Sequence, residues 1–253
     1  MTFWDHLDEL RGTLVRVLAV TLLAAVAAFL FRDELFALVF APKECDFVSY
    51  RLFARLSAML GGSVEPFDVR LINTGLAQQF VTHVKVAFCA GVLCASPYIV
   101  YKLFDFVSPA LYEKEKKYAS LVVSGGYALF AVGVMLAYFV VFPLTFRFLG
   151  TYQVSAEVEN MISLESYIST MLTLCMLMGV LFELPVVCWL LAEFGVFDAS
   201  WMSTHRKHAI VVSLVLSAVI TPTADAFTLI VVALPVILLY EFSIFLVRRT
   251  VKR

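Results

Sequence analysis

Residues 166–193 read SYISTMLTLCMLMGVLFELPVVCWLLAE, an apolar run with no charged residue until Glu183. About 20 such residues, rising roughly 1.5 Å each as a helix, cross a hydrocarbon core of about 30 Å. A soluble domain would set a core inside a charged skin, and this run offers no skin. The rest of the chain agrees. Of 253 residues, 62% are apolar and 15% charged, with a mean hydropathy of +0.91; globular proteins hold roughly half apolar and about a quarter charged residues. The charges fall in short stretches between long uncharged runs, so lipid is the solvent this chain requires.

Working outward, the runs 12–31, 86–106 and 119–146 precede this one, and 208–222 and 226–247 follow it. The run 208–222 is short: it reaches little over about 20 Å, which implies local bilayer thinning or snorkelling by Arg206, Lys207 and His208. All six are expected to be helices, because in lipid every backbone N–H and C=O needs a partner within the protein, and none shows the alternation of a barrel strand. The expected fold is all-α and polytopic: six transmembrane helices in one membrane domain, 1–253, with external connections at 32–85, 147–165 and 223–225.

Lysine and arginine orient it. Arg11, Lys114, Lys116, Lys117, Arg206, Lys207, Arg248, Arg249, Lys252 and Arg253 fall on one side. The other side spreads Arg32, Lys43, Arg51, Arg55, Arg70 and Lys85 along its long first loop, followed by Arg147. Positive charge concentrates on the cytoplasmic side, so both termini are expected there. Asp5, Asp8 and Glu9 stand where a secretory signal would be basic, so no cleavable signal is read. Within the long external loop, Leu52, Leu56 and Leu60 give residues 50–60 a helical spacing suited to the membrane surface, and 75–88 reads as a helical approach to the second span.

Enzyme chemistry has no foothold. The chain lacks a Walker loop, a dinucleotide fingerprint, H-E-x-x-H and G-x-S-x-G. Its five cysteines follow no disulfide or metal spacing, and His205 and His208 lie on a basic loop without acidic or cysteine partners nearby in sequence. No catalytic activity, cofactor or metal is expected.

The acids carry the functional signal. In a helix over 3–16, Phe3, Leu7, Leu10 and Leu14 share one stripe while Asp5, Glu9, Gly12 and Arg16 share the opposite face. Glu9 then suits either an intramembrane groove with a cationic ligand or plain solvation at the border. Glu115 follows the second span on the same side, among three lysines. Glu183 lies well inside the fourth span, where an ionised side chain costs roughly 2.5 kcal/mol or more, so function is the default reading. Pro185 removes a helix hydrogen bond beside it and can open a polar notch. Glu241, in the last span, suits either function or a bridge to the basic tail around Arg248.

Five segments recur together, in order, in a known family: 6-HLDELR-11, 106-FVSPALY-112 with Glu115, 137-AYFVVFP-143, 182-FELP-185 and Thr221-Pro222 with Asp225. The chain resembles TatC, the multi-span subunit of the twin-arginine, Sec-independent protein translocase, from about Phe3 to the last span. The external run 50–60 fits this resemblance least. It implies a subunit of the cytoplasmic (inner) membrane that binds twin-arginine signal peptides of folded precursors at its cytoplasmic face and nucleates translocon assembly. It implies further a multi-copy complex with TatA- and TatB-type single-span partners, driven by proton-motive force, with no nucleic acid involved. The matching signal-peptide positions are Glu9, Arg11, Phe106 and Glu115. Glu183 matches the intramembrane acid, a polar contact for a partner helix, and Pro42, Pro109 and Asp225 match other motif positions. Guanidinium forks pair bidentately with carboxylates, which suits two acids on one membrane face to an arginine pair. Gly12-Thr13 stands where relatives are often basic, and Asp105 adds an acid that is either a third anionic contact or a partner for Lys102. The rival reading is a proton-coupled secondary transporter using Glu183 and Glu241, which an internal repeat would favour; none is found.

Overall fold

Five helical stretches among the described residues are long and apolar enough to cross a membrane: Asp8–Leu30, Gln78–Phe106, Val123–Thr151, Leu164–Glu193 and Ala226–Arg249. The structure is a computed structural model that describes residues 3–59, 61, 67, 69–107, 119–155, 160–221 and 225–250. Helix α1 (Phe3–Leu30) is the first span. On the external side follow α2 (Arg32–Phe40), a 3-10 turn (Ala41–Lys43), α3 (Val48–Met59) and the short strand β1 (Leu71–Ile72). The second span is α4 (Gln78–Val107). The third joins α5 (Ala119–Leu136), a π turn (Ala137–Val141) and α6 (Phe142–Thr151). After β2 (Ile162–Ser163), the fourth span is α7 (Leu164–Leu181) with α8 (Leu184–Glu193). A short α9 (Ala199–Thr204) leads to α10 (Arg206–Ile220) and to the last span, α11 (Ala226–Thr250). Helix α10 has 15 residues, about 22 Å, the short element expected from 208–222.

Prolines shape the spans. Pro143 has no N–H for the Phe139 carbonyl, and the π turn just before it absorbs the misfit. The Ser49 hydroxyl of α3 donates to that carbonyl. In α4, Pro97 likewise frees the Leu93 carbonyl, and the adjacent Ser96 hydroxyl donates to it at 2.6 Å.

Helix α3 forms where its apolar spacing suggests, and one of its faces docks on the protein. Phe47, just before it, stacks on Phe139 with ring centroids 5.7 Å apart. The Tyr50 hydroxyl donates to the carbonyls of Pro42 and Pro143, each at 3.1 Å. Burial pushes the Tyr50 phenol well above its ordinary pKa, against a smaller lowering by Arg147, so it stays a neutral donor. Tyr138 donates to the Leu38 carbonyl at 2.7 Å and Tyr167 to the Val39 carbonyl at 3.0 Å. The external segment is thereby tied to the third and fourth spans. Parallel pairing of Leu71 with Ile162 and Ile72 with Ser163 joins the two external loops.

The main core lies between spans three, four and six, around Phe142, Tyr167, Leu174, Met178, Val232 and Val236. Helix α1 stands at the edge and packs along α4. Their crossing is close: a Cβ at Gly91 would lie 2.6 Å from the Ala25 backbone nitrogen.

Candidate functional site

Helices α1 and α4 are consecutive spans and run antiparallel, so the N-terminus of one and the C-terminus of the other share a membrane face. Measured from their crossing at Ala25 and Gly91, Glu9 lies about 24 Å along α1 and Phe106 about 22 Å along α4. They reach the same level at the cytoplasmic end. Glu9 and Arg11 are exposed, Phe106 is half-buried, and the space around Gly12 is open. The first turns are helical, as the spacing suggests, and Leu10, Leu14, Glu9 and Arg16 are all exposed. Among the described residues, the Glu9 carboxylate at this end of α1 is accessible. Asp105 is engaged locally, accepting from Lys102 Nζ at 2.9 Å one helical turn away. Glu115 and Pro109 lie outside the described residues.

Glu183 occupies the turn between α7 and α8. Pro185 has no N–H for the Leu181 carbonyl, and α7 ends at that residue. The chain resumes as helix with Val186 and Val187 N–H both donating to the Glu183 carbonyl at 3.0 Å. The side chain turns toward the third span, where a Cβ on Gly126 would sit 3.0 Å from Glu183 Oε2 and 3.4 Å from Val100 of α4. Glu183 Oε1 is buried and has no hydrogen-bond partner among the described residues. The notch that Pro185 suggested is therefore present and is walled by spans two and three.

Glu241 is settled differently. Its carboxylate takes a side-on pair from Arg206, Nε to Oε1 at 2.9 Å and Nη2 to Oε2 at 3.0 Å. It bridges to the start of α10 and not to Arg248 in the tail. Pro42 is buried in the 3-10 turn and presents its carbonyl to Tyr50. Asp225 caps α11, accepting from the Thr228 N–H at 2.7 Å. His205 stacks on Trp201 with centroids 4.2 Å apart, and no cluster of three His, Cys, Asp or Glu occurs among the described residues.

Sequence reasoning missed Gly126 and the three tyrosine ties. Gly126 carried no signal apart from its neighbour Gly125. The ties join residues up to 128 positions apart, beyond the reach of any local pattern.

Two acids at different depths, one exposed at the cytoplasmic border and one walled within the spans, are the arrangement to compare with known proteins. The family model described as Sec-independent protein translocase protein (TatC) matches residues 5–235. The chain belongs to the TatC family. TatC of Blattabacterium sp. subsp. Periplaneta americana is 31% identical over 97% of this chain and 94% of its own length. TatC of Desulforapulum autotrophicum is 34% identical over 96% and 82%, and that of Aquifex aeolicus 33% over 97% and 94%. A crystal structure of the twin arginine translocase receptor TatC in DDM superposes with a TM-score of 0.78 at 31% identity, covering 96% of this chain and 99% of that one. The protein is thus a TatC-type core subunit of twin-arginine translocation, a multi-pass inner-membrane protein with the TatC fold. No finding favours the solute-transporter reading, and Glu241, one of its two acids, is engaged by Arg206.

Proposed function

We propose that Glu9 and Glu115, with Arg11 and Phe106 beside them, hold the arginine pair of twin-arginine signal peptides at the cytoplasmic face. The observation that supports this is the antiparallel packing of α1 on α4, which brings the ends bearing Glu9 and Phe106 to one level. Two carboxylates accept the planar donor forks of adjacent arginines bidentately, which lysines cannot reproduce. The apolar part of the signal then lies along the span surfaces. Residues 1–253 act as one membrane domain with both termini cytoplasmic, in a multi-copy complex with TatA- and TatB-type single-span proteins driven by proton-motive force. Glu183 is the polar contact for a partner helix within the membrane. Pro42 and Asp225 serve the site indirectly, by shaping the external segment and the start of the last span.

The test is site-specific crosslinking of a twin-arginine signal peptide to membranes containing the protein. Replacing both acids, Glu9→Ala with Glu115→Ala, is expected to abolish the crosslink. An undiminished crosslink in the double variant would refute the assignment.

A further inference from the structure

We propose that Gly126 is a positioning residue for Glu183: its missing side chain is the slot that lets the carboxyl fold beneath an open membrane-facing surface. The inference rests on reading Glu183 as the contact for a partner helix. Val180 and Val187, about one turn to either side of Glu183, are 59% and 45% exposed, so this side of the fourth span is open to lipid or to a docking helix. Glu183 does not share their fate. Its Oε1 is buried, and the position of a Gly126 Cβ lies 3.0 Å from Oε2 and 3.5 Å from Oε1. A methyl group there would crowd the carboxyl, which would have to give by a few tenths of an ångström.

The atoms in conflict set this glycine apart from its neighbours on the third span. At Gly133, a Cβ would meet the Met178 carbonyl oxygen at 2.6 Å and Phe182 Cγ at 2.7 Å, so a side chain there has to separate two helices. At Gly125 nothing lies within 4 Å. At Gly126 the nearest contact is with the far end of a flexible side chain, which can shift while the helices stay in place. The tucked carboxyl keeps the surface between Val180 and Val187 apolar until a helix bearing a hydrogen-bond donor arrives.

The experiment measures labelling of Glu183 by a hydrophobic carbodiimide in native membranes, read by peptide mass analysis on the full-length chain. Gly126→Ala is expected to raise labelling several-fold while thermal stability stays close to the parent. Val100→Ala, which widens the slot from its other wall, is expected to lower it. Unchanged labelling in both variants, or an equal rise in Gly133→Ala, would overturn the proposal, the latter because general loosening of the helices would then suffice. Partner-helix photo-crosslinking from position 187 is scored separately. If Glu183→Ala leaves that crosslink intact, the partner-contact reading fails, whereas the labelling result still decides the role of Gly126.

Discussion

Glu183 in the fourth span and Glu241 in the sixth are acids set in comparably apolar helices. One is tucked against a glycine with a buried oxygen that has no hydrogen-bond partner among the described residues, and the other holds Arg206 through both oxygens. Glu241 is placed by charge: the pair sits near the cytoplasmic border, about half exposed, where a guanidinium can reach it from α10. Glu183 is placed by shape, at a depth where no cation is offered and where a proline break and a glycine leave room. Among the described residues the first arrangement is complete and the second is not. An acid whose hydrogen bonding is unfinished in the isolated subunit is the one suited to a partner.

This contrast can be broken or sharpened by substitution, with thermal unfolding in detergent micelles as the measure. The largest effect is expected one step along the same helix crossing, at Gly133→Ala, where the added methyl forces two backbones apart and costs about 1–3 kcal/mol. An unchanged unfolding temperature would show that shape does not hold this region. Smaller is Glu183→Gln, expected to leave stability within about 1 kcal/mol because no hydrogen bond to Oε1 is lost. A greater loss would reveal a partner inside the subunit and erase the contrast. Smallest is Arg206→Gln, expected to cost less than about 1 kcal/mol, since the pair is half exposed and solvent-screened. That cost should shrink with added salt and vanish in a background of Glu241→Gln; persistence in that background would mean that Arg206 acts through packing.

Much of the architecture was legible in the sequence because hydrophobic length is a property of contiguous residues. The spans, the shortness of the 208–222 element and the helical character of 50–60 all follow from counting apolar residues and their period. The same local logic read Pro185 as a break beside Glu183. It failed where the outcome hung on distant groups. For Glu241 local spacing offers function or the nearby tail at Arg248, yet the fold supplies Arg206, 35 residues earlier. The docking of one face of α3 was not legible, because it depends on Tyr50, Phe139 and a carbonyl freed by Pro143, an arrangement distributed over about ninety positions.

The candidate site divides along the same line. Glu9 and Phe106 could be set at one end of the molecule from span parity alone, but their common level depends on where α1 crosses α4, and that is decided by Gly91 meeting the Ala25 backbone. The sequence by itself determined that this is a helical membrane protein, which side its charges favour and which acids are out of place in lipid, because transfer to hydrocarbon is a sum over neighbouring residues. Only the tertiary structure decided which of those acids is satisfied and which is held ready, because that depends on close contacts between helices, where one absent methyl group determines whether a carboxyl fits.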